Sequence, residues 1–424
     1  AIGGYSLYSN TTGGSNTGVG YNSLKNNITG MTNTAIGGSA LYFNTSANYN
    51  VAVGYESINN NVSGNSNTAI GYQSLFSNNA NTGSIAVGFN SMKYADSRTS
   101  GITTGNIAIG YEALMGSATA ANNTGTMNTS IGYQTLKNNT SGYGNAVVGW
   151  SALVNNTTGF LNSTLGQEAL LNNTTGSRNI ALGYQALANN ITKSGSIAIG
   201  YYAMHSADNS LAWASTGNIA IGEESLRGSS TLANNTGTNN NAIGSNTLKN
   251  NTSGSSNIAI GTNSLYYNTS GSYNASIGYN SLNAVTSGSD NVAIGRSALY
   301  GLTTANYNTA LGSGAGGSVI SGPTVKTTGD YGIYIGYNAL ALAASSSNEI
   351  VIGSATSVGG NNTGLGTNTT SIGNTSTQQS RIYGALTVIP NTATGVGNSS
   401  IIAAQNGGTN SNGGNIGLNN QLVE

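Results

Sequence analysis

Glycines set 17 residues apart govern this chain. Taking the glycine that closes an Ala-Ile-Gly core as a marker, copies fall at Gly3, Gly20, Gly37, Gly54, Gly71 and Gly88. The stretch Asn33-Thr34-Ala35-Ile36-Gly37-Gly38-Ser39-Ala40-Leu41 is the unit from which nearly everything else is made. A tandem repeat this short cannot bury a core alone; it must stack apolar side chains from copy to copy.

Seventeen residues are too few for a helical hairpin repeat, which needs about 30, and Asn, Gly and Thr disfavour helix. Short strands joined by turns fit better, with Asn and Gly supplying the positive-φ positions. The expected fold is all-β: a parallel β-solenoid, or β-roll, of about twenty coils at about 4.8 Å per layer.

Beyond Gly88 the rhythm changes in a regular way. Two 22-residue steps lead to Gly110 and Gly132, four 17-residue steps to Gly149, Gly166, Gly183 and Gly200, and two more 22-residue steps to Gly222 and Gly244. This is a 112-residue block, and Lys25, Lys137 and Lys249 repeat at that interval, as do Glu112 and Glu224. The third block runs through Gly312 and then decays, with a Gly-rich insertion at 313–330 and degenerate coils at Gly336 and Gly353. Residues 1–373 therefore read as the array, degenerate after about 312. Residues 374–424 read as a cap or the joint to a further module. Starting at Ala1 in mid-repeat, the sequence is expected to be a processed or trimmed piece of something longer.

Strand alternation suggests how a coil is built. The large residues before the glycine (Ile36, Val53, Ile70, Val87, Ile109) are assigned to the coil's own core. The face of Ala35, Ala52, Ala69, Ala86 and Ala108, with the marker glycine, is assigned to close packing against another chain, most simply in a homotrimer about the rod axis. Aromatic residues follow the marker at Tyr21, Tyr55, Tyr72, Phe89, Tyr111, Tyr133, Trp150, Tyr184, Tyr201 and Tyr279. They read as cover for junctions between coils or chains, with a sugar-stacking strip as the alternative.

Composition excludes several functions. Charged residues are 5% of the chain and the formal net charge is zero, so Asn, Ser, Thr and backbone amides are expected to solvate the surface. The eleven Lys and Arg are scattered singly, which argues against nucleic acid as a partner. Cysteine is absent, which removes disulfides and thiolate metal sites. No apolar run of about 18 residues exists to span a membrane.

The motif Asn-x-Ala-Ile-Gly-x-x-Ser/Ala-Leu followed by Asn-x-Thr/Ser-Gly resembles the head repeats of trimeric autotransporter adhesins. It is still more similar to the longer repeats of phage and prophage tail fibres. The resemblance covers about residues 1–373 and implies a trimeric, extracellular fibre, on a virion or a bacterial surface, that attaches to a cell. Its departures are a coil of 17 residues against about 14 in the adhesin heads, and no recognisable anchor, stalk or chaperone module.

Catalytic chemistry finds little support. Glu56, Glu112, Glu168 and Glu224 stand three coils apart, about 14 Å along the rod, too far for a hydrolytic carboxylate pair within one chain. Glu223 and Glu224 are read as neighbours in a strand, pointing to opposite faces. His205 is the only histidine, so one chain holds no His-based triad or His-rich metal site. No catalytic, cofactor-binding or metal residue is assigned, and no cofactor is expected. The longer coils bulge at 93–104, 115–121, 205–216 and 227–234, and loops on a rigid scaffold are where recognition tends to sit. Tyr94, Asp96, Arg98, His205, Asp208 and Trp213 are therefore the candidate contacts for a cell-surface glycan or protein receptor. Glycosylation matches such as Asn27-Ile28-Thr29 follow from composition and turn preference. The expected function is a non-enzymatic adhesive fibre segment. An ice-binding solenoid, suggested by the turn Thr pairs, is the alternative, and a polysaccharide-cleaving spike comes third.

Overall fold

The computed structural model describes residues 1–94, 101–119, 122–206, 215–231, 235–316, 327–354, 362–365 and 367–373. It is a parallel β-solenoid of about 19 coils, with no α-helix among the described residues. Each coil contributes one three-residue strand, such as Thr34–Ile36 or Val51–Val53, and the strands form one 20-stranded parallel sheet. The register is residue on residue: Thr34, Ala35 and Ile36 pair with Val51, Ala52 and Val53. The 22-residue steps keep this register, as in Ala86 on Ala108 and Ala198 on Ala220.

Hydrogen bonding between coils continues well outside the strands. The N–H of Ser39 donates to Tyr21 O at 2.8 Å, that of Leu41 to Ser57 O at 3.0 Å, and that of Phe43 to Asn59 O at 3.0 Å. Ser39 and Leu41 are left-handed, at φ 55 and 49. Such residues cost about 1 kcal/mol or more each and persist where the surroundings fix them, as the ladders do here. The turn they make carries Leu41 into the interior, where it is completely buried. The marker glycine is required twice over. Gly183 sits at φ 130, and a Cβ there would lie 2.5 Å from the carbonyl oxygen of Gly200 in the next coil.

The strand faces the opposite way to the expectation. Ala35 is 0% exposed and Ile36 is 41% exposed, and the pattern repeats with Ala69 against Ile70 and Ala108 against Ile109. The alanine column is the coil's own core and the Ile and Val column points out. The cause is room: Leu24, Leu41, Ile58, Leu75 and their successors fill the interior from the turn, leaving a methyl's space at the strand centre. Where the centre is Ser130, the residue opposite is Thr135, and their hydroxyls meet at 2.7 Å.

Asparagine is also placed unexpectedly. Two columns lie inside the coil, in place of solvating its surface. In one, the N–H of Asn145 donates to Asn128 Oδ1 at 3.0 Å, and Asn145 Nδ2 donates to Gly159 O at 2.9 Å. In the other, Asn156 Nδ2 donates to Asn139 Oδ1 at 2.8 Å and to Gly159 O at 2.9 Å. These amides satisfy turn carbonyls and backbone N–H groups that a buried turn would otherwise leave unpaired.

The last coils depart from the pattern. Tyr334, fully buried, takes the place of the strand alanine and Glu349, also buried, that of the ladder asparagine. Tyr334 fits because its neighbour is Gly316, where a Cβ would come within 3.0 Å of the ring. The final strand is Thr370–Ile372. The segment expected to be a cap, 374–424, lies outside the described residues.

Candidate functional site

The strands present two outward columns on one face of the sheet. Both flank the buried alanine, so both experience the same backbone. The column before it varies: Thr34, Val51, Thr68, Ile85, Ala146, Ser163, Asn241. The column after it is Ile, Val or Leu in every coil from Val19 to Ile372. Strand propensity treats the two positions alike, so it does not explain why only one is held aliphatic.

Beside that column stands the aromatic one. Tyr55, Tyr72, Phe89, Tyr111, Tyr133 and Trp150 form a continuous stack with centroids 5.1–5.8 Å apart and planes within 12°. Their outer edges are exposed, while the faces a sugar would stack on are turned toward neighbouring rings. The sugar-stacking reading of this column is thereby weakened. The column is interrupted at Gln167 and, from Glu223 onward, becomes largely polar.

The glutamates are tied from coil to coil. Gln73 Nε2 donates to Glu56 at 2.7 Å, and Glu112 takes Gln134 Nε2 at 2.8 Å and Lys137 Nζ at 2.7 Å. Burial by itself would raise the Glu112 carboxyl, but hydrogen bonds from Lys137 and Gln134 and the lysine charge hold it below the ordinary value. Glu224 takes both Arg227, at 2.8 Å, and Lys249. Glu223 and Glu224 sit in the turn after the strand Ile219–Ile221, not in a strand as expected.

The bulges have closed necks. Asn123 Nδ2 donates to Ser117 O at 2.8 Å and to Tyr94 O, while its Oδ1 accepts the N–H of Ser117 at 2.9 Å. One block later Asn235 does the same with Ser229 and Ser206. Of the expected contact residues, Tyr94 and His205 are described, and Asp96, Arg98, Asp208 and Trp213 lie outside the described residues. Tyr94 and His205 do not share a site: six coil steps, roughly 29 Å, separate them.

His205 is half-buried. Its Nε2 lies 3.1 Å from Gln185 Oε1 and its Nδ1 3.0 Å from Ser206 Oγ, an arrangement that suits a neutral ring donating from Nε2. Tyr202 packs edge-on at 4.8 Å. Burial, then the Arg227 charge, push its pKa below the ordinary 6.5.

The regular turn threonines spend their protons on the next coil: Thr157 Oγ1 donates to Thr174 O at 3.1 Å and Thr252 Oγ1 to Thr269 O at 2.8 Å. Among the asparagines of the glycosylation matches, Asn27, Asn44, Asn156 and Asn173 are buried ladder residues. No group of three or more metal-ligating side chains occurs among the described residues, and no helix there is long and apolar enough to cross a membrane. No protein-family model and no curated protein matches the chain.

Proposed function

We propose that this chain is a segment of an extracellular fibre that assembles side by side with copies of itself and presents its remaining surface for attachment to a cell. The observation that carries the proposal is the outward column of Ile, Val and Leu, unbroken from Val19 to Ile372. With about 19 coils at about 4.8 Å each, the aliphatic column is roughly 90 Å long, and the aromatic stack lies beside it from Tyr55 to Trp150. An exposed apolar patch of this size marks an interaction surface.

The partner is a second and third copy in the same direction. A repeating surface is matched over its whole length only by one with the same 4.8 Å period, and parallel copies close by rotation about the rod axis. The similarity to adhesin heads and tail-fibre repeats supports three copies. The role needs no catalytic group, and the coil-to-coil ties of the glutamates serve it as structural links.

Light scattering on the full chain at micromolar concentration tests the reading. A mass three times the 42.5 kDa of one chain is expected; a mass of one chain would overturn it.

A further inference from the structure

The inner asparagine column has a direction. Asn44 Nδ2 donates to Asn27 Oδ1 at 2.6 Å, Asn61 Nδ2 to Asn44 Oδ1 at 3.3 Å, and Asn78 Nδ2 to Asn61 Oδ1 at 2.9 Å. Each amide gives a proton to the coil before it and offers its oxygen to the coil after it. At Asn78 the pattern stops, because the next two coils are the 22-residue ones. Asn78 is 1% exposed, and its Oδ1 is buried with no hydrogen-bond partner among the described residues. The column resumes at Asn139, three coil steps or roughly 14 Å further on. Asn139 Nδ2 donates to Gly142 O at 2.9 Å but to no earlier amide, whereas Asn156 Nδ2 uses both its protons.

A cavity lies along this break, and Asn78 and Asn139 both line it. It leaves the centre of a water-sized sphere about 20 Å³, and about 10–15 Å³ measured in that way holds one water. The wall is mixed. Met92 and Leu114 are apolar, Ser84 and Thr104 bond each other through their hydroxyls at 2.6 Å, and Asn123 spends its amide on Tyr94 and Ser117. What stays open is an acceptor from the earlier coil, Asn78 Oδ1, and a donor from the later one, Asn139 Nδ2.

This combination restricts the occupant. A cation would satisfy Asn78 Oδ1 and be repelled by the Asn139 N–H, an anion would do the reverse, and no charged side chain among the described residues lines the cavity to balance either. An apolar guest would leave both amides unpaired, which is costly in a buried site. Water both donates and accepts, and buried water is found where protein polar groups lack partners.

We propose that this cavity is an internal-water site of one or two molecules, donating to Asn78 Oδ1 and accepting from Asn139 Nδ2, where the longer coils break the amide column. The proposal is independent of the fibre reading.

The test is a crystal structure of the full chain at a resolution that shows ordered water, with parallel crystals soaked in rubidium bromide or pressurised with xenon. A peak about 3 Å from Asn78 Oδ1 is expected, with no anomalous signal from rubidium or bromide and no xenon in the cavity. The absence of any peak within hydrogen-bond reach of Asn78 Oδ1, or the entry of rubidium, bromide or xenon, would each overturn the proposal. Asn78→Leu removes the acceptor at similar size. In crystals of that variant the peak is expected to be lost, and a peak that persists at the same position would show that Asn78 does not hold it. The native crystals decide the question by themselves if the variant fails to fold.

Discussion

Ala35 and Ile36 are adjacent in one three-residue strand and face opposite ways: Ala35 is sealed inside its coil and Ile36 stands in solvent. This relation, repeated along the sheet, assigns the interior to alanine, leucine and asparagine and leaves the larger strand residue free to meet another molecule.

The marker glycine is the least replaceable residue of a coil. Gly183→Ala would bring its Cβ against Gly200 O in a backbone region that L residues avoid. A loss of about 3 kcal/mol is expected from overpacking and strain together. Gly14, where an added Cβ meets nothing within 4 Å, is the control, and Gly14→Ala is expected to stay within about 0.5 kcal/mol. Denaturant midpoints compare the two.

The buried amide column makes a second prediction. Asn156→Ala removes the donor to Asn139 and Gly159 and the acceptor for Asn173 Nδ2. A local loss of about 2–3 kcal/mol is expected, read by amide exchange in the coils of Gly149 and Gly166.

Ser130 and Thr135 test how the core tolerates polarity. Ser130→Ala leaves the Thr135 hydroxyl without its 2.7 Å partner and is expected to cost about 1–2 kcal/mol. Ser130→Ala with Thr135→Ala recreates the Ala181 and Ala186 pairing of a normal coil, so most of the loss is expected to return in the double variant. A double-mutant cycle with no coupling would show that the pair does not act together.

His205, as the only histidine, gives one imidazole signal to follow by NMR. Gln185, Ser206, Asn189, Tyr202 and the Arg227 charge surround it. Its folded pKa lies below the ordinary value, so the fold favours the neutral ring. The stability this gives is fully present above about pH 6.5 and is lost as pH falls through the folded pKa. Titration below 6.5 is expected, and His205→Gln is expected to flatten the stability profile in that window. A midpoint at or above 6.5 would contradict the burial.

Much of the fold was legible in the sequence. The 17-residue step, the strand before each glycine and the inward Leu41 all follow from period and residue type. The facing of the strand did not. A three-residue strand of Thr, Ala and Ile shows two faces but does not say which is inside, and size suggested the wrong one because the turn residues already fill the coil. The asparagine ladders were hidden for a related reason: Asn serves exposed turns and buried amide columns alike, and only the position of its neighbour one coil away distinguishes them. At the bulges, the sequence grouped Tyr94 with His205, and the six coil steps between them appear only when the coils are counted along the sheet.

The most direct measurement of the central claim, that the aliphatic column faces outward and is where copies meet, is the solution mass of the triple variant Ile70→Lys, Ile109→Lys and Val148→Lys. Far-UV circular dichroism and the melting temperature are followed beside it. A folded chain with the mass of one copy is expected, because lysine is tolerated outside a coil and rejected between copies. A variant that keeps the assembled mass, or one that unfolds in place of dissociating, would contradict it.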